Sequence, residues 1–240
     1  MQMPGSSEVL ADVVGTSAGV LFDFDGPICD VFRGLPAPGV AAALAGIVAS
    51  RAPELGDRAR ATDDPMEIHQ LSQEGGAALL AEVEAALTAA EIAAVKVAGP
   101  PVAGAVQALA AAKESNRRVA VVSNNSGECV REYLAIHGIG GTVDVVVGRP
   151  ALQPDLMKPD PHPLLAAAEA LDVDPAALVL IGDSTTDVDA ARAAGVRSIG
   201  YANKPRKRST LAEAGADVVV VAMDAVADAL ASAGVVQRRP

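Results

Sequence analysis

Six short runs of aliphatic and β-branched residues recur along the chain and constrain its fold more than any other feature. They are Gly19-Val-Leu-Phe-Asp-Phe, Arg118-Val-Ala-Val-Val-Ser, Val143-Asp-Val-Val-Val, Leu178-Val-Leu-Ile-Gly, Val196-Arg-Ser-Ile-Gly and Asp217-Val-Val-Val-Val. Between them lie stretches with apolar residues at helical spacing, over 102–115, 128–137, 163–171 and 186–194. Near-continuous apolar strands alternating with helices predict an α/β fold, a doubly wound parallel sheet with helices on both faces.

One interval breaks the rhythm. From 30 to 98 no strand pattern occurs, only Ala/Leu/Glu-rich helical spacing (67–71 and 77–92 most clearly), punctuated by Pro53, Pro65 and Gly75-Gly76. Nearly seventy residues are too many for a loop. The expected organisation is therefore a core segment at 1–29, a helical subdomain at 30–98 and the remainder of the α/β core at 99–240. Half the residues are apolar but only 2% are aromatic, so the core must be built from Val, Leu, Ile and Ala.

The formal charge of −11 argues against a nucleic-acid binder, which needs Lys and Arg to neutralise phosphates. An anionic substrate must then be held by a local exception such as a metal ion, a lysine or oriented amides. Cys29 and Cys129 form no CxxC pair or disulfide framework, so a reducing cytoplasm is expected. Glu8 and Asp12 stand where a signal peptide would be basic, and no apolar run reaches the length of a membrane span. The longest uncharged run, 34–50, holds two prolines and reads as an Ala-rich helix. Neither a membrane nor an obligatory protein partner is expected.

In an open parallel sheet, ligands bind outside the carboxyl ends of the strands. Asp23-Phe-Asp25-Gly26, Ser123-Asn124-Asn125 and Gly182-Asp183-Ser-Thr-Thr-Asp187 follow three of the expected strands, and Lys158-Pro precedes a helix leading to the last of these. They offer four carboxylates, a hydroxyl, an amine and loop amides. Magnesium prefers oxygen ligands and is commonly held by a few carboxylates plus a substrate phosphate. An ionised Asp can attack phosphorus once metal and lysine offset the repulsion between anions, and a second carboxyl can protonate the leaving oxygen. Gly26 suits the tight exit that brings both acids to one place. The inventory fits phosphoryl transfer.

Together these motifs resemble the haloacid dehalogenase-like hydrolase superfamily over most of the chain. The helical insert, placed between the first two motifs, is similar to the first cap type of phosphoglycolate-phosphatase-like and β-phosphoglucomutase-like members. The resemblance implies that Asp23 forms an aspartyl-phosphate and ligates Mg²⁺, while Asp25 is general acid and base and binds the metal through its carbonyl. It implies that Ser123 and the Asn124 amide hold the phosphoryl group, Lys158 neutralises charge, Asp183 ligates the metal, and Asp187 assists the metal or orients Lys158. The paired acid points to a phosphatase of small phosphorylated metabolites rather than a dehalogenase. The alternatives are a phosphomutase with the same residues or, further off, a receiver-like phosphate-binding module. Position 27 departs from the pattern: Pro replaces the usual Thr or small β-branched residue, removing an amide hydrogen from the nucleophile loop.

Other residues draw blander readings. His69, His137 and His162 match no metal-ligand spacing, and His69 reads as structural or solvent-facing, with contact to substrate as the alternative. The basic run 204–208 reads as a solvated loop beside the site, Arg33 as a candidate for a second substrate anion or a surface ion pair, and Cys29 as a packing residue.

Overall fold

The computed structural model describes residues 5–236. In chain order, the principal elements are α1 (Ser6–Gly15), β1 (Gly19–Phe22), α2 (Ala37–Arg51), α3 (Gly56–Arg60), α4 (Pro65–Ser72), α5 (Ala77–Val95), α6 (Ala105–Glu114), β2 (Arg118–Val122), α7 (Gly127–Ile136), β3 (Val145–Val147), α8 (His162–Leu171), β4 (Leu178–Gly182), α9 (Thr185–Ala194), β5 (Arg197–Tyr201), α10 (Lys207–Ala214), β6 (Val218–Val220) and α11 (Met223–Ser232). The six strands form one parallel sheet in the order β3-β2-β1-β4-β5-β6. The expected doubly wound α/β fold is present. Helix α1 falls where only a Gly/Ser-containing start was legible, and α10 and α11 were not anticipated.

Side chains alternate across the sheet, and both faces are buried. Val20 and Phe22 of β1 join Val119, Val121, Val179 and Ile181 under α1, α6, α7 and α11. Leu21 joins Ala120, Val122, Leu178 and Leu180 under α8 and α9. Burying both faces explains why these strands are apolar without interruption.

Between β1 and β2 every described regular element is a helix. Val40, Leu44 and Val48 lie at four-residue spacing along α2 and pack on Ile68 of α4 and on Val83 and Leu87 of α5. This is an apolar core separate from those of the sheet. Each fully buried Leu or Val contributes about 1.5–3 kcal/mol relative to exposure. No described helix is long and apolar enough to cross a membrane.

Strand β1 is central, and the register sets Phe22 beside Val121 on one side and Ile181 on the other. The carboxyl ends of β1, β2 and β4 are thus nearly level, at the point where the strand order reverses. Asp23, Ser123 and Asp183 emerge there together.

Candidate active site

Asp23 continues the sheet for one residue, its amide donating to the Ile181 carbonyl at 2.8 Å. Lys158 reaches it from the loop before α8. The Lys158 ammonium lies 2.8 Å from Asp23 Oδ1, 2.6 Å from Asp187 Oδ1 and 3.2 Å from the Val122 carbonyl. Those three acceptors use all three of its donors, and all three side chains are buried. The Asn124 amide side chain clasps the Lys158 backbone, donating to its carbonyl (3.0 Å) and accepting from its amide (2.9 Å). The β2 end therefore fixes the lysine as well as presenting Ser123. That hydroxyl is buried, accepts from the Asn125 amide (3.0 Å) and lies 3.2 Å from Asn125 Oδ1.

The loop after Asp23 folds back on itself. Cys29 and Ile28 donate to the Phe24 carbonyl, and Gly26 donates to that of Cys29. The Val31 amide donates to Asp25 Oδ1 at 3.0 Å. None of these bonds uses an amide at position 27, so Pro27 fits the loop without leaving an acceptor unmet. Gly26 has φ +110°, and a Cβ there would run into the Asp183 carboxylate. Only glycine meets both demands. Phe24 points the other way, into the core, where its ring meets Tyr133 edge-on at 5.5 Å. The Tyr133 hydroxyl donates to the Gly99 carbonyl.

Asp183 and Asp187 are set by the turn from β4 into α9. Ser184 caps α9, accepting from the Asp187 amide, while Asp187 Oδ2 accepts from the Asp183 and Ser184 amides and the Ser184 hydroxyl. A Cβ at Gly182 would collide with the Asp187 side chain, so that glycine admits the carboxylate. With Lys158 on Oδ1, both Asp187 oxygens are engaged. Asp183 Oδ2 accepts from Asn203 Nδ2 (2.8 Å) and from Lys207. The expected solvated loop at 204–208 is thus only partly one: Lys207 opens α10 and turns its ammonium onto Asp183. Tyr201, at the end of β5, lines a neighbouring recess with Asp25, Asp183 and Lys207.

Negative charge exceeds positive here. Burial and the nearby Asp187 push the Asp23 carboxyl well above its usual range, although Lys158 pulls the other way. Burial raises Asp25 to about 6, against the pull of the Val31 amide, with Asp183 adding to the rise. Asp183 is also raised by burial, partly offset by Lys207. Burial alone would lower Lys158, but Asp187 and Asp23 outweigh it and hold the ammonium charged. Oxygens of Asp23, Asp183 and Asp187 lie within 4.8 Å of one another. A cluster of hard oxygen donors with unneutralised charge suits a divalent cation of the magnesium kind.

A second buried charge cluster joins the helical region to the sheet, and sequence reasoning missed it. Arg149, after β3, lies 2.8 Å from Glu91 Oε1 and 2.7 Å from Glu84 Oε1, and donates to Thr88 Oγ1 (3.2 Å) and the Asn124 carbonyl (3.0 Å). Glu91 also accepts from Asn125 Nδ2 and the Ser126 amide. His69 is buried with Nε2 2.7 Å from Glu84 Oε2, but not in hydrogen-bonding alignment. Glu84, Thr88 and Glu91 fall at i, i+4 and i+7 on one face of α5, a polar stripe in an otherwise Ala/Leu-rich helix. That stripe was the available signal.

A cleft of about 780 Å³ opens onto Asp23, Asp25, Ser123, Asn124, Lys158, Asp183 and Asp187. The helical region walls it with 62–66, and the core with Lys204 and Arg206. All the singled-out motif side chains therefore meet at one place, although the Asp25 carboxylate turns toward Val31 rather than Lys158. The histidines do not gather: His69 sits on Glu84, and His137 packs on Tyr133. Arg33 is exposed and does not line the cleft.

Comparison with known proteins gives the family and the fold. A phosphoglycolate phosphatase (plasmid) of Cupriavidus necator is 39% identical over 127 residues, 51% of this chain and 52% of that protein. One of Neisseria meningitidis is 37% identical over 92 residues, 38% of each. The chain thus spans about half the length, or less, of these relatives. Among solved structures, CbbY of Rhodobacter sphaeroides in complex with phosphate has a TM-score of 0.63 at 21% identity, covering 87% of this chain and 95% of that one. A haloacid dehalogenase-like protein of Agrobacterium tumefaciens reaches 0.61 at 22% identity, covering 90% and 98%. At such identities these two share the fold. The model of the haloacid dehalogenase-like hydrolases matches residues 18–195, which take in the Asp23 loop, Ser123, Lys158 and the β4–α9 turn, and the chain belongs to that family.

Proposed function

We propose that the chain is a Mg²⁺-dependent phosphatase that hydrolyses a small phosphate monoester through an aspartyl-phosphate on Asp23. The observation that carries this is the Lys158 ammonium shared between Asp23 and Asp187 at the sheet's switch point, with a second acid, Asp25, one turn of loop away. The relatives' names, phosphoglycolate phosphatase, support the same class.

In this reading an ionised oxygen of Asp23 attacks phosphorus in line as the bond to the leaving oxygen breaks. Asp25, raised to about 6, is protonated often enough near neutral pH to give that oxygen its proton. The Val31 amide holds Oδ1, which leaves Oδ2 to carry the proton. In the second half Asp25 takes a proton from water, the water oxygen attacks the aspartyl-phosphate, and inorganic phosphate and the Asp23 carboxylate are released. Ser123 and the Asn124 amide hold the transferring oxygens, Lys158 offsets their charge, and Asp187 keeps Lys158 in place. Asp23, Asp183 and the Asp25 carbonyl would hold Mg²⁺, which supplies further charge neutralisation for the attack. Residues 30–98 act as a cap over core segments 1–29 and 99–240, excluding water during the first half-reaction. Buried free thiols at Cys29 and Cys129 favour a reducing, cytoplasmic setting.

Phosphate release from an aryl phosphate, measured with and without Mg²⁺, checks the proposal. Asp23→Asn is expected to lower kcat by about 10³-fold or more. Full activity in that variant rules out Asp23 as nucleophile.

A further inference from the structure

The cations around the cleft are unevenly placed. Among the described residues only Lys158, Lys204 and Arg206 line it, and Lys158 is saturated by Asp23, Asp187 and the Val122 carbonyl. The wall formed by the helical region brings no cation. It brings Asp63 and Asp64, the latter already accepting from the Met66 amide to cap α4. Lys204 and Arg206 stand on the loop between β5 and α10, both exposed, and neither side chain has an ion-pair or hydrogen-bond partner among the described residues. The neighbouring cation of that loop, Lys207, is by contrast committed to Asp183. In a chain of charge −11, two unpaired cations at the mouth of an acidic site are a local reversal of the field.

We infer that Lys204 and Arg206 form a subsite for a second anionic group on the substrate, so that the core loop after β5, rather than the helical wall, selects a phosphate ester with an anionic tail. This rests on the proposed phosphatase reading for the first anion, the phosphoryl group seated between Ser123 and Asp23. Arg206 can grip a carboxylate or phosphate with two parallel N–H donors, and Lys204 adds a point charge. A tail with no charge gains nothing from either. An acidic wall opposite would repel a tail that bound there.

The test is binding by titration calorimetry in the Asp23→Asn background, where turnover is blocked, with three probes. Ethyl phosphate has a neutral tail, phosphoglycolate a carboxylate, and propane-1,3-diyl bisphosphate a second phosphate. The Lys204→Gln/Arg206→Gln pair is expected to weaken the two anionic-tailed probes by about 10- to 100-fold while ethyl phosphate changes by less than about threefold. The better-bound tail tells which anion the subsite takes. Equal weakening of all three overturns the inference and assigns the pair to a general field or to a latch on Asp63 and Asp64, and no weakening overturns it outright. Tail-dependent binding without phosphate release by the unsubstituted chain would leave the subsite standing and remove the phosphatase reading. Failure of every probe to bind would remove both.

Discussion

Two buried charge clusters lie on either side of Asn124 and Asn125, and they differ in balance. Around Lys158 the carboxylates outnumber the cation, and burial pushes Asp23, Asp25 and Asp183 upward. Around Arg149 the balance is closer. Burial alone would raise Glu84, but the neighbouring His69 and Arg149 hold it down at about 2. Burial alone would lower Arg149, but Glu91 and Glu84 keep it charged. The first cluster is left short of positive charge, which suits the proposed binding of a cation and a phosphoryl group. In the second, Arg149 binds Glu84, Glu91, Thr88 and the Asn124 carbonyl and so joins α5 to the loop that carries Asn124, Asn125 and Ser126. Acids pushed upward by burial mark the first cluster; in the second, an arginine helps hold Glu84 down and fastens two segments together.

The sharpest way to break this contrast is to remove each cation in turn. Lys158→Met is expected to lower kcat for an aryl phosphate by about 10³-fold, because Asp23, the proposed nucleophile, loses its ammonium partner. A variant retaining a tenth of the activity would show that the metal alone neutralises the attack. Arg149→Met is expected to act on stability instead, costing about 3–5 kcal/mol by leaving the buried Glu91 and the half-buried Glu84 without their shared guanidinium. Urea denaturation reads this directly, and a midpoint unchanged from the parent chain would remove the fastening role. Glu91→Gln keeps one acceptor for Asn125 or Ser126, so a smaller loss of about 1–3 kcal/mol is expected.

The two clusters also predict opposite responses to pH. Glu84 is depressed on folding, so its contribution is present above about 4.5 and is lost as pH falls toward about 2. Asp25 is raised on folding, so its contribution is present below 3.8 and is lost as pH rises through about 6. Without added metal, Asp25→Asn should therefore raise the melting temperature at pH 7 but not at pH 3.5, the smallest effect of the set. Scanning calorimetry at the two pH values decides it. An equal gain at both would trace the change to packing rather than charge.

What was legible in the sequence follows the same division. Asp23, Asp25, Ser123, Asp183 and Asp187 sit at strand ends, where a local pattern of acids and glycines after an apolar run announces a ligand-binding edge, and Lys158 is marked by its proline. Arg149 has no such mark. Its partners lie 58 and 65 residues away on a helix whose charges look like any solvated face until packing shows which side is buried. Lys207 was hidden for a related reason: in a run of basic residues, sequence alone does not single out the one that turns inward. His69 was left between structural and solvent-facing, and burial against Glu84 decides for the former. The doubly wound sheet was readable because both faces of every central strand are buried. Helix α10 was not, because a short polar helix carries little periodic signal; α1 and α11 do carry an amphipathic pattern, with Leu10, Val13 and Val14 and with Val226, Ala227 and Leu230 buried, and were open to being read.

The placement of the tyrosines has a practical consequence. The chain contains no tryptophan and only two tyrosines. Tyr133 packs on Phe24 inside the nucleophile loop, and Tyr201 lines the recess beside Asp183. Intrinsic ultraviolet emission from this protein therefore comes chiefly from two reporters placed beside the Asp23 loop and Asp183. A metal ion or phosphate bound beside Asp183 is expected to change the emission of Tyr201, without a dye or an engineered label.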